Sequence, residues 1–172
     1  MRLPDPLPAR FDAAHTTAVR CSVEHGMLDG GRAAVEQDGV SFSARVDVAA
    51  GTVHVVGFPE IEAEVETAIG TIRTAVTVEG EPEGAYDAVT GHVDVEASLT
   101  FDPSSLLART SRVAVRLHTD GKLSDPKAAG NPLDAGDARV VLVGEGVFRG
   151  GSLDGGRLGL VLTCRVEGVE EA

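Results

Sequence analysis

Apolar residues recur at every second position through most of this chain, the signature of strands with one face in a core and one in water. Val40, Phe42, Ala44, Val46 and Val48 share one face, with Ser41, Ser43, Arg45 and Asp47 opposite. Ile61, Ala63, Val65, Thr67 and Ile69 alternate with Glu60, Glu62, Glu64 and Glu66. Val93, Val95, Ala97, Leu99 and Phe101 alternate with His92, Asp94, Glu96, Ser98 and Thr100. Val113, Val115 and Leu117 repeat the pattern, and Leu158, Leu160, Leu162, Cys164 and Val166 close it. Further strands are predicted at 17–24, 33–37, 52–56, 72–78 and 139–148. About nine or ten strands in one short chain require an antiparallel barrel or a two-sheet sandwich.

Turn chemistry agrees. Asp47 to Val53 and Asp87 to Val93 both read Asp-x3-Gly-x-Val, with an Asp to bond the amides ahead and a Gly for positive φ. Asp154-Gly155-Gly156 reads as a third hairpin. One short helix is expected over Asp102–Arg109, with Asp as N-cap and Pro at the first helical position. The stretch Asp120–Ala138, rich in Gly, Pro, Asp and Ala, is expected to be a long solvated loop, with a lid as the sharper alternative. The chain is expected to form a single β domain over 1–172, with residues 1–14 as a Pro-rich arm.

Composition excludes several functions. With 27 acidic against 15 basic residues, a net charge of −12, five Phe, one Tyr and no Trp, there is no cationic stacking face for nucleic acid. An anionic membrane surface would repel the chain, and no stretch approaches the roughly 20 apolar residues of a spanning helix. Met1–Pro8 carries three prolines and no apolar run, so no signal peptide is read and a cytoplasmic location is expected.

Catalytic motifs are missing: there is no Walker loop, dinucleotide fingerprint, HExxH or paired CxxC. His92, Asp94 and Glu96 share a face that could ligate metal, but the clean valines opposite favour a solvated face. The Glu60, Glu62, Glu64 and Glu66 row reads as carboxylates facing water and guarding a strand edge. Cys21 and Cys164 both occupy apolar registers, in the first and last strong strands. They are read as buried thiols in a reducing cytoplasm, with a disulfide as the alternative if a barrel closes between those strands. The inward faces carry almost no ionisable groups, so an interior built from them is oily. No metal or cofactor is implied. Near the barrel mouths, Tyr86, His118 and Arg20 are the candidate ligand-binding residues, with Asp120–Ala138 as cover.

The closing hairpin, Gly144-Glu-Gly-Val-Phe148-Arg-Gly150 and onward to Leu158, resembles the Gly-x-Gly-x-Phe-x-Gly hairpin of small barrels related to allene oxide cyclase and dirigent proteins. The resemblance covers that hairpin alone and transfers no catalytic residue. It implies a calycin-like or allene oxide cyclase-like antiparallel β-barrel. Such a barrel would bind an apolar, natural-product-like molecule, with cofactor-free cyclisation or isomerisation as the accompanying chemistry. The alternative reading is a non-enzymatic β-sandwich module that assembles with itself, as a homo-oligomer, or with a partner.

Overall fold

The computed structural model describes residues 14–28, 33–67, 70–124, 127–134 and 138–170. Most of the expected Pro-rich arm therefore lies outside the described residues. The strands are β1 (Ala14–Leu28), β2 (Ala33–Asp47), β3 (Thr52–Val56), β4 (Ile61–Thr67), β5 (Gly70–Val78), β6 (Glu83–Tyr86) and β7 (Val93–Pro103). They continue as β8 (Ser111–His118), β9 (Lys122–Ser124), β10 (Lys127–Ala129), β11 (Asn131–Asp134), β12 (Arg139–Val147) and β13 (Arg157–Glu170). Among the described residues there is no helix long and apolar enough to cross a membrane.

Eight antiparallel strands close into a barrel. Around the ring the order is β1-β13-β12-β8-β7-β5-β4-β2, and β2 pairs back onto β1. The wall divides between β2 and β7. At one level β4 and β5 fill it; at the other β3 and β6 do, with β3 pairing β2 and β6 pairing β7. The long strands β2 and β7 therefore each serve two partners in succession. The sandwich alternative is excluded by this closure.

Alternation sets the two faces. Val95, Ala97, Leu99 and Phe101 of β7 are buried, while Glu96 and Ser98 are exposed; β8 buries Val113, Val115 and Leu117 in the same way. The glutamates at 60, 62, 64 and 66 are all exposed. They do not guard a free edge, because β4 is paired on both sides within the ring. Both Asp-x3-Gly turns form as read: Asp47 Oδ1 accepts from the Ala50 amide at 2.9 Å, and Asp87 Oδ1 from Val89 at 2.8 Å and Thr90 at 3.2 Å. The two turns sit side by side, the Tyr86 amide donating to the Gly51 carbonyl at 2.9 Å.

The glycines of the closing hairpin have a packing role. A Cβ on Gly144 would lie 2.4 Å from the Arg116 carbonyl oxygen, and one on Gly146 would lie 2.5 Å from that of Ala114. Only bare backbone lets β12 cross β8 this closely. Phe148 follows and turns inward, its ring edge-on to Phe101 with centroids 4.9 Å apart. With Leu158 these two rings form a fully buried floor.

Three expectations are corrected. Asp102–Arg109 is not a helix: Asp102 and Pro103 finish β7, paired with Ala75 and Thr74 of β5, and the rest is a turn and irregular chain, with Thr110 Oγ1 donating to Asp102 Oδ1 at 2.8 Å. The predicted strands 33–37 and 40–48 are one strand, continuous through Gly39 at positive φ. Asp120–Ala138 is not an open loop. The β9–β10 hairpin lies on the outer wall, where Leu123 packs on Val143 and Val161, and β11 then pairs with β12. Alternating hydrophobicity is too short in these three-residue strands to show.

The barrel closes where the cysteines face each other. Cys21 and Cys164 are directly opposed across β1 and β13, and they form a disulfide with Cα atoms 4.1 Å apart. They are not free thiols. The bridge joins positions 143 apart in sequence. Its reduction, or the double substitution Cys21→Ala and Cys164→Ala, is expected to lower unfolding free energy by about 2–5 kcal/mol. Urea titrations with and without reductant measure this, and thiol counting under denaturing, non-reducing conditions should find none.

Candidate functional site

The inward side chains do not fill the ring. Small residues on facing strands, among them Ala44, Val46, Val53, Val95 and Ala97, leave a cavity of about 160 Å3 above the aromatic floor. Phe101 marks its closed end. Towards the Asp47 and Asp87 turns the lining includes half-buried Val48, Tyr86, Val93 and Leu133, and half-buried Phe58 lines it farther along, where β3 gives way to β4. Phe42 and Phe58 meet there with ring centroids 5.2 Å apart.

Leu133 reaches the mouth because β11 is seated on the β6–β7 turn. Its amide donates to the Gly91 carbonyl at 2.9 Å, and a Cβ on Gly91 would lie 2.5 Å from the Leu133 oxygen. Part of the expected cover thus reaches the cavity, while its β9–β10 portion packs on the wall.

Polarity inside is sparse. Thr17 turns its hydroxyl towards the Ala18 carbonyl at 3.5 Å, and Cys164 is in the disulfide. Among the described lining residues, the Tyr86 phenol is the one titratable group. Burial, and secondarily the neighbouring Asp87 carboxylate, push it above the ordinary phenol range. Among the described residues, no carboxylate, imidazole, amine or guanidinium lines the cavity.

A second, more polar recess adjoins the mouth and shares Tyr86 and Val93 with the cavity. Its other walls include His92, Asp94, Arg116, His118 and Asp120. Asp94 and Arg116 form a bidentate pair, with Arg116 Nε at 2.8 Å from Oδ1. That hydrogen bond, ahead of burial opposing it, holds the Asp94 carboxyl below its usual range. His92 Nδ1 lies 2.7 Å from Asp120 Oδ1 and 2.9 Å from Thr119 Oγ1. Both contacts fall on the same nitrogen, so no relay runs through the ring.

The structure brings Tyr86 and His118 together at this recess, but only Tyr86 touches the cavity. Arg20 is on the outer face of β1, paired with Glu167 at 3.0 Å, and it meets neither site. The face row His92, Asp94 and Glu96 divides between separate partners, and among the described residues there is no cluster suited to a metal ion. Sequence reasoning did not find Phe58, Pro82 or Leu133, which line the cavity. Their signal was slight: single apolar residues set among Gly and Pro. The His92–Asp120 pair crosses between two turns and has no local signature.

No family model, curated protein or solved structure matches the chain.

Since Tyr86 is the one tyrosine, its titration is directly visible. Ultraviolet absorbance should place the folded phenol above the value near 10 reached on unfolding in urea. With the folded pKa raised, stability is full below the unfolded value and falls as pH rises towards the folded one. Equal titration in both states would contradict the buried position.

Proposed function

We propose that the barrel binds a small apolar molecule in its interior, by burial. The observation that supports this is the cavity itself: about 160 Å3, lined almost wholly by apolar side chains, ending on Phe101 with Phe148 packed behind it, and open towards a half-buried rim. Apolar cavities near this size stay dry and take ligands such as benzene or xenon, because water gains no partners there. Transfer of apolar surface from water contributes roughly 25 cal/mol per Å2.

The volume also restricts the ligand. Drug-sized molecules occupy roughly 300–1,000 Å3. A natural-product-like substrate would therefore insert one apolar segment and leave the rest at the mouth. Any accompanying cyclisation or isomerisation would be cofactor-independent and conformational, the wall holding the substrate in a reactive shape. Among the described residues, Tyr86 is the one titratable side chain that lines the cavity. Self-assembly through strand edges has less support, since the ring strands are paired on both sides. Cytoplasmic residence draws no support from the Cys21–Cys164 bridge, which suits an oxidising compartment.

Benzene near ten times its dissociation constant should stabilise the protein by about 1.4 kcal/mol, seen as a raised melting temperature. Ala97→Leu, which adds volume at a lining position, should abolish that shift while the variant remains folded by circular dichroism. A wild-type melting temperature indifferent to benzene would refute the reading.

A further inference from the structure

We infer that the ligand is amphipathic and enters tail first, its apolar body in the barrel and a hydrogen-bond-donating head, hydroxyl or amine, at Tyr86. This rests on the proposed apolar-binding function and adds orientation and head-group chemistry to it.

Orientation follows from the two ends of the cavity. The closed end is lined by Val23, Ile61, Leu99, Phe101 and Leu160, and behind Phe101 the ring of Phe148 is almost wholly buried. A polar head placed there would lose its water and find no partner, costing several kcal/mol. At the mouth the wall changes character within one residue. Tyr86 belongs to both the oily cavity and the polar recess, so its ring faces hydrocarbon where its neighbours face water. A ligand filling the cavity and extending past Tyr86 arrives directly in the recess.

Head-group preference follows from what the recess leaves unengaged. Its ionic groups are Asp87, Asp94 and Asp120 against Arg116, with His92 and His118 beside them. Arg116 is already committed to Asp94. The remaining carboxylate oxygens of Asp87 and Asp120 are acceptors, as is the phenol oxygen. An incoming donor is matched by these acceptors, while an incoming carboxylate meets like charge. The acidic whole chain, at −12, adds a field of the same sign.

Calorimetric titration of the intact protein with benzene, 1-hexanol, hexylamine and hexanoate tests this. Hexylamine should bind about five-fold or more tighter than hexanoate at low salt, with the gap narrowing as salt rises. Tyr86→Phe, which keeps the ring, should weaken 1-hexanol about three- to ten-fold more than it weakens benzene. That selective loss would not arise from a merely structural role. Hexanoate binding as well as hexylamine, or Tyr86→Phe weakening 1-hexanol no more than benzene, overturns the inference while benzene binding leaves the cavity reading intact. If none of the four probes binds, the cavity reading fails and the inference with it.

Discussion

Pairing of the first strand with both the last and the second is the interaction on which the rest depends. β1 runs alongside β13 from Thr16 to Leu28 and alongside β2 from Ala14 to His25. Without it the sheet would end in two free edges, and neither face would be an interior. Once the ring closes, each period-two segment has one permitted register, because a one-residue slip would turn a whole hydrophobic row to water. The carboxylates at 60, 62, 64 and 66 face outward for the same reason that Ile61, Ala63 and Val65 face inward.

Strand number then fixes the bore, and side-chain size decides how much of it is filled. Branching of the wall at β2 and β7 keeps the ring at eight strands on both levels, so the bore does not collapse where β4 and β5 give way to β3 and β6. At the floor two phenylalanines and Leu158 fill it. Higher up, Val and Ala are too short to meet across it, and the void remains. The void is the consequence of placing large residues at one end and small ones in the middle.

This division explains what could be read from the sequence. The inward rows, the strand at Thr52–Val56 and the Asp47 and Asp87 turns are local patterns, and they emerged with nearly the observed limits. Whether the interior was hollow depended on closure, a property of pairings between residues as distant as Cys21 and Cys164. The same dependence left the thiols and the disulfide as alternatives. Tyr86 was legible as a strand-end aromatic near a mouth. Arg20 was legible as an outward residue, since Val19, Cys21 and Val23 take the inward register of the same strand; only its pairing with Glu167 depends on the alignment of β1 with β13. Leu133 acts at the mouth only because Gly91 admits the β11 backbone, a contact between segments some forty residues apart.

The hollow interior and the disulfide are energetically connected. A void of about 160 Å3 costs about 4 kcal/mol at roughly 24 cal/mol per Å3, since the lining atoms lack dispersion partners. A cross-link closing a loop this long contributes about 2–5 kcal/mol by restricting the unfolded chain. The two magnitudes match. The bridge also lies in the closing seam, with Cys164 itself part of the cavity wall. A covalent closure therefore stabilises the ring without placing any large side chain in its bore. A packed core would have stabilised the same ring through contacts, and would have removed the space that a ligand needs.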